Sequence, residues 1–175
     1  MGLFDRIPGA RDRPEITPAP GERVLAWTRD VEGAAIAGTR DACYLPSAEG
    51  ATTRIPWEQV EAADWDADAG RLRISEVGEW GERRPEHSSE LEDPGRFLEL
   101  VRERVTASVV LVRHVPLRRN RGVRVIARRA PVGDAALHWV YEFDEGIDPD
   151  DPEVRRRAEQ ALASARDEVG DTSST

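Results

Sequence analysis

From residue 23 onward, apolar and polar positions alternate in short runs broken by turn residues. In RVLAWTR (23–29), Val24, Ala26 and Thr28 fall opposite Leu25 and Trp27, the two-residue period of a β-strand. AAIAGT (34–39) and DACYLP (41–46) follow, separated by Gly38 and a turn candidate at Arg40-Asp41. TTRIPW (52–57) is next, and Pro56 confines it to an edge or a strand end. The stretch from 54 to 78 runs apolar, polar, apolar through Val60, Ala62 and Trp65. It turns at Asp68-Ala69-Gly70 and resumes through Leu72, Ile74 and Val77, which predicts a β-hairpin with Trp65, Leu72 and Ile74 in the core. PEHSSEL (85–91) adds a further strand. Turn residues recurring every 8 to about 12 positions predict a sandwich or barrel.

The period then changes. In DPGRFLELVRERVTAS, Asp93 is placed to cap a helix and Pro94 to open it, with Phe97, Leu98, Val101 and Val105 on one face. Three strong strands come next: ASVVLVRHVPL (107–117), GVRVIARR (122–129) and ALHWVYEFDE (136–145). In the last, Leu137, Trp139, Tyr141 and Phe143 make an aromatic face opposite His138, Val140, Glu142 and Asp144. A final helix opens at Asp151-Pro152 and carries a seam of Val154, Ala158, Ala161, Ala165 and Val169 up to Gly170.

The pattern divides the chain into an extended Pro-rich leader (1–22), a β-rich unit closed by a helix (23–107), a β-meander with a C-terminal helix (108–170), and a disordered tail (171–175). The predicted class is α+β. This order of elements resembles the bacterial pleckstrin-homology-like family. GTRDACYLP, RIPWEQVEAADWD with GRLRI after it, and DPGRFLELVRERV carry the resemblance, over residues 23–106. It implies an antiparallel barrel of about seven strands with one capping helix. Family members that bind inositol lipids use basic residues between the first two strands. Here that loop is RDVEG, with Asp30 and Glu32 beside Arg29, which argues against inositol-lipid binding. The family's other use, as a docking barrel for proteins or peptides, remains.

Composition narrows the setting. The 175 residues are 39% hydrophobic and 34% charged with a net charge of −9, which argues against nucleic acid and anionic membranes as partners. Lysine is absent and Asn120 is the sole asparagine, a bias expected of a high-GC bacterial genome. Cys43 is alone, so no intrachain disulfide forms, as suits a reducing cytoplasm. The N-terminus has no continuous apolar core and no run approaches the roughly 20 residues of a membrane span. A soluble, cytoplasmic protein is expected.

Between Arg104 and Gly133 there are eight arginines and no acid, against seventeen arginines and thirty-four acids in the rest of the chain. Arg118, Arg119 and Arg121 surround a turn, where they can fan outward and clamp phosphate or carboxylate bidentately. The plainer reading pairs Arg124 and Arg128 across the sheet with Glu142 and Asp144. Trp27, Trp57, Trp65 and Trp139 lie on or beside strands, where core is the default. Trp80 lies between Gly78 and Gly81 on a loop, as a binding residue or a cap over the barrel end. His87, His114 and His138 are scattered, which argues against a metal site. Cys43 reads as a small buried apolar residue. No cofactor motif and no nucleophile–base pairing stands out, so catalysis is the minority reading. The expectation is a non-catalytic intracellular binding module for a protein partner with an acidic surface, its binding residues Arg118, Arg119, Arg121 and Trp80. The alternative is a small enzyme or small-molecule-binding protein using a cleft between the two lobes.

Overall fold

The computed structural model describes residues 16–47, 51–78, 84–133 and 135–170. Trp80, most of the Pro-rich leader and the 171–175 tail lie outside the described residues. Within them the chain is α+β, with three antiparallel sheets and two helices.

The first sheet holds β1 (Ala26–Arg29), β2 (Ala35–Gly38), β3 (Ala42–Pro46) and β4 (Thr52–Pro56) in sequential order. The Arg40-Asp41 turn forms because the Thr39 hydroxyl accepts the N–H groups of Asp41 (3.1 Å) and Ala42 (3.0 Å). Alternation sends Ile36, Cys43, Leu45 and Ile55 to one face and Ala37, Ala42 and Tyr44 to the other. Leu25 and Trp27 fall on the outer side of β1 and stay exposed, so the core placement expected of Trp27 does not hold. β1 is an edge strand, and only its Thr28 side is buried.

A 3-10 turn at Trp57–Gln59 leads into the second sheet, β5 (Val60–Asp66), β6 (Arg71–Glu76) and β7 (Glu86–Glu90). The predicted hairpin is its first half. The Asp66 carboxylate accepts the N–H groups of Asp68 and Ala69, both at 3.0 Å, and Gly70 takes φ +62°. The register shifts between Val60 and Ala62, so Glu61 is an extra residue in the ladder, a β-bulge. The inward set therefore becomes Val60, Ala63 and Trp65 rather than Val60, Ala62 and Trp65. Leu72 and Ile74 are buried as expected, whereas Trp65 is half-buried at the margin.

Helix α1 (Gly95–Ser108) lays Phe97, Leu100 and Val101 over the space between these sheets. It starts one residue later than expected, with Pro94 at the N-cap and Asp93 accepting the Gly95 N–H at 3.0 Å. Close packing requires Gly38, since a Cβ there would stand 2.6 Å from Leu100 Cδ2 and 3.3 Å from Trp57 Cζ2. No continuous ladder closes a barrel among the described residues. The sheets are separate and open, joined at one corner by the isolated bridge between Asp30 and Leu91.

Cys43 is fully buried, and burial pushes its thiol up to about 12. A thiol reagent should leave the native protein unlabelled under conditions where the urea-unfolded chain reacts completely. Rapid stoichiometric labelling of native protein would contradict this.

The second unit follows α1 with no intervening loop. Its strands β8 (Val109–Arg118), β9 (Arg121–Arg128) and β10 (His138–Phe143) lie in the order β10-β9-β8. Helix α2 (Pro152–Val169) covers one face. Asp151 caps it by accepting the Glu153 N–H at 2.9 Å, and Gly170 ends it at φ +67°. Ala161 and Ala165 pack on Val125, flanked by Trp139 and Tyr141 from the aromatic face. Gly122 admits no side chain, because a Cβ there would meet the Val115 carbonyl oxygen at 2.0 Å.

Candidate functional site

The β8–β9 turn brings Arg118, Arg119 and Arg121 together. With Asn120, Gly146 and Ile147 they line one open concavity of about 530 Å³. Arg119 holds the turn at φ +54°, a left-handed value unusual for a side-chain-bearing residue. Of these three arginines, only Arg119 has no partner among the described residues. Arg118 Nη2 lies 3.4 Å from Asp151 Oδ2 at the start of α2, and Arg121 Nη1 donates to the Glu145 carbonyl at 3.0 Å. The facing segment that the sequence reading left out is the β10–α2 connection. It fixes two of the three guanidinium groups and leaves part of each fork open.

The other arginines of the basic run are absorbed by the fold. Arg124 spans Glu142 (3.3 Å) and Asp144 (3.1 Å) across the β9–β10 ladder, as the plainer reading expected. Hydrogen bonds hold the Asp144 carboxyl below its usual range, from the Gly122 backbone and then from His114. Arg113 pairs with Glu168 of α2. Arg128 departs from expectation. It is buried between the two units, where it donates to Ser108 Oγ (3.0 Å) and the Glu61 carbonyl (2.8 Å). Residue parity sends Arg128 to the face of the sheet away from α2, and at its end of β9 the first unit covers that face through Glu61 and Ser108.

Glu61 belongs to the same seam, and sequence reasoning missed it. The bulge turns its side chain toward β9 and β10, into a cleft of about 290 Å³ shared with Ser75, Arg84, Arg124 and Glu142. Arg84 Nη1 lies 2.7 Å from Oε1, while Oε2 is buried with no donor. Burial first, and the nearby Glu142 carboxyl against the pull of Arg84, raise the Glu61 pKa. In the sequence Glu61 continues the alternation from Val60 to Ala62, so nothing there marks it as the extra residue.

A second missed feature is Glu22. Its carboxylate accepts from Thr39 Oγ1 (2.6 Å), the Tyr44 hydroxyl (2.9 Å) and Arg54 Nε (2.9 Å). Burial alone would raise its pKa, but these hydrogen bonds outweigh burial and lower it. With Ile16 and Val24 packed on Ala37 and Tyr44, and Ala19 N–H on the Tyr44 hydroxyl (2.9 Å), the end of the leader is clipped to the outer face of the first sheet.

His87 pairs with Glu76 (2.6 Å) and His114 with Asp144 (3.1 Å), on different sheets. Among the described residues no three His, Cys, Asp or Glu side chains converge on a metal position. Among the described residues no helix is long and apolar enough to cross a membrane. Comparison with protein-family models, curated proteins and solved structures finds no match. Functional assignment therefore rests on surface geometry and charge.

Proposed function

We propose that this chain is a non-catalytic protein-docking module of the cytoplasm, built on a pleckstrin-homology-like scaffold, that binds an acidic segment of a partner at its arginine tip. The observation carrying this reading is the concavity around Arg118, Arg119 and Arg121, with Ile147 as its apolar lining. Partly anchored guanidinium groups lose little side-chain freedom on binding and present planar forks to carboxylates. The scaffold reading draws support from the order of a four-stranded sheet, a three-stranded sheet and a helix filling the space between them. The free, buried Cys43 suits a reducing compartment.

The test is fluorescence anisotropy with a labelled Asp/Glu-rich peptide. The wild-type protein should bind it, with Kd rising steeply as salt shortens the screening length to about 8 Å near physiological ionic strength. Arg118→Ser/Arg119→Ser/Arg121→Ser should weaken binding at least tenfold while shifting Tm little, because exposed ion pairs contribute little to stability. Equal affinity of the triple variant would overturn the assignment.

A second reading, a small-molecule site in the cleft between the units, is favoured by the buried, donor-less Oε2 of Glu61. A fragment soak that places a donor group beside Glu61 in a crystal would support it. A cleft left empty across a chemically broad fragment set would count against it.

A further inference from the structure

The geometry points to a second docking site, of opposite sign to the arginine tip, where an extended basic peptide segment of a partner adds as a strand along the open edge of β7. The ladder parity locates that edge. Leu91 N–H donates to the Gly70 carbonyl (2.8 Å) and Glu76 N–H to the Pro85 carbonyl (2.9 Å). Residues 85, 87, 89 and 91 therefore turn their backbone groups toward β6, and Glu86, Ser88 and Glu90 turn theirs the other way. At Glu90 the outward carbonyl is used, accepting the Val31 N–H at 2.9 Å. Beyond that bond, the outward N–H and C=O of Ser88 and Glu86 meet no partner among the described residues.

Room for an added strand lies alongside. A groove of about 800 Å³ runs between Ser88–Glu90 on one side and the β1–β2 turn with the ends of β3 and β4 on the other. Ala34, Ala35 and Ala51 line its far side and leave space for a backbone to approach. Glu32 stands exposed on the hairpin rim, Asp30 is buried beneath it with its carboxylate accepting the Glu32 and Ala34 N–H groups, and Glu90 is only loosely met by Arg71 at 3.9 Å. Glu86, Ser88 and Glu90 share the exposed face of β7. An added strand with Arg at alternate positions would set its cations across from these glutamates, as cross-strand pairs require. Backbone bonds supply affinity in such strand addition and the alternating side chains supply the choice of partner. Charge selects a basic partner segment over a second copy of this chain, because two β7 edges would bring glutamates against glutamates.

The probe is an acetylated, amidated Arg-Ala-Arg-Ala-Arg-Ala peptide titrated into the whole protein. At saturation, amide exchange at Ser88 should slow at least tenfold, and the matching Glu-Ala peptide should leave it unchanged. Ser88→Pro removes the outward N–H without touching the β6 ladder, and should abolish this binding. Should that variant fold poorly, Glu86→Gln/Glu90→Gln keeps the backbone and should weaken binding at least fivefold. The triple arginine-tip variant should bind as wild type does, which separates this site from the acidic-segment reading. Binding that survives both β7 variants, protection elsewhere only, or a salt-insensitive dimer formed through β7 in sedimentation would overturn the proposal.

Discussion

Replacing Trp57 by alanine should lower the unfolding free energy by about 3–5 kcal/mol, measured by urea denaturation followed by circular dichroism. The ring is fully buried where the 3-10 turn, Gly38 and α1 meet. Its Nε1–H donates to the Thr39 carbonyl at 3.1 Å, so truncation opens a large cavity and also removes the donor of a buried acceptor. Trp57→Phe separates the two effects: it keeps most of the volume and should cost only about 1–3 kcal/mol, the penalty for the orphaned carbonyl. Trp65→Ala should cost less than Trp57→Ala, because its ring sits at the margin of the same core and leaves water less completely. Equal melts for Trp57→Ala and wild type, or a larger loss at Trp65, would show that the core is centred elsewhere.

That ranking of tryptophans was not legible in the sequence. Alternation marks which residues share a face, but it does not say which face another element will cover. Trp27 and Trp57 both lie on or beside strands; α1 covers the second, while the first lies on the outer side of an edge strand. The hairpin at 60–76 was legible because its turn chemistry is local: Asp66 and Gly70 make it without distant help. The bulge was not legible, since one extra residue in a ladder shows only against its partner strand. Without it, Glu61 would have been read into the wrong register and the cleft would have stayed unseen.

The basic run shows the same limit at the site. Sequence placed Arg118, Arg119 and Arg121 on one turn, and they do line one concavity. It set Arg128 apart as a partner of cross-strand acids, but it could not show that Arg128 is buried where the sheet meets the first unit. Acceptors far away in sequence decide the difference: Ser108 and Glu61 for Arg128, Asp151 and Glu145 for the tip. The clip formed by Glu22 was hidden for the same reason, since Thr39, Tyr44 and Arg54 come from later strands and the turn between them.

Arg128→Ala should be among the most damaging single changes in the second unit, with an expected loss of about 3–5 kcal/mol because it strips a buried, hydrogen-bonded charge from its partners. The Glu61 carbonyl and Ser108 hydroxyl lose their donor, and the buried carboxyl of Glu61 loses a nearby positive charge. The pH dependence then has a definite sign. Glu61 titrates higher in the folded protein than in the unfolded chain. Its contribution is therefore fully present below the unfolded value of about 4.3 and is lost as pH rises through the folded one. Removing Arg128 raises that folded value further, so the deficit of Arg128→Ala should widen as pH rises from the unfolded value through the folded one. Glu61→Gln in the same chain removes the charge. The double variant should recover part of the loss and should also lose the added pH slope, leaving the cost of the unbonded Glu61 carbonyl, about 1–3 kcal/mol. Strict additivity of the two changes across that pH range would mean that Arg128 acts only through its hydrogen bonds and that no charge coupling joins the two units at this seam.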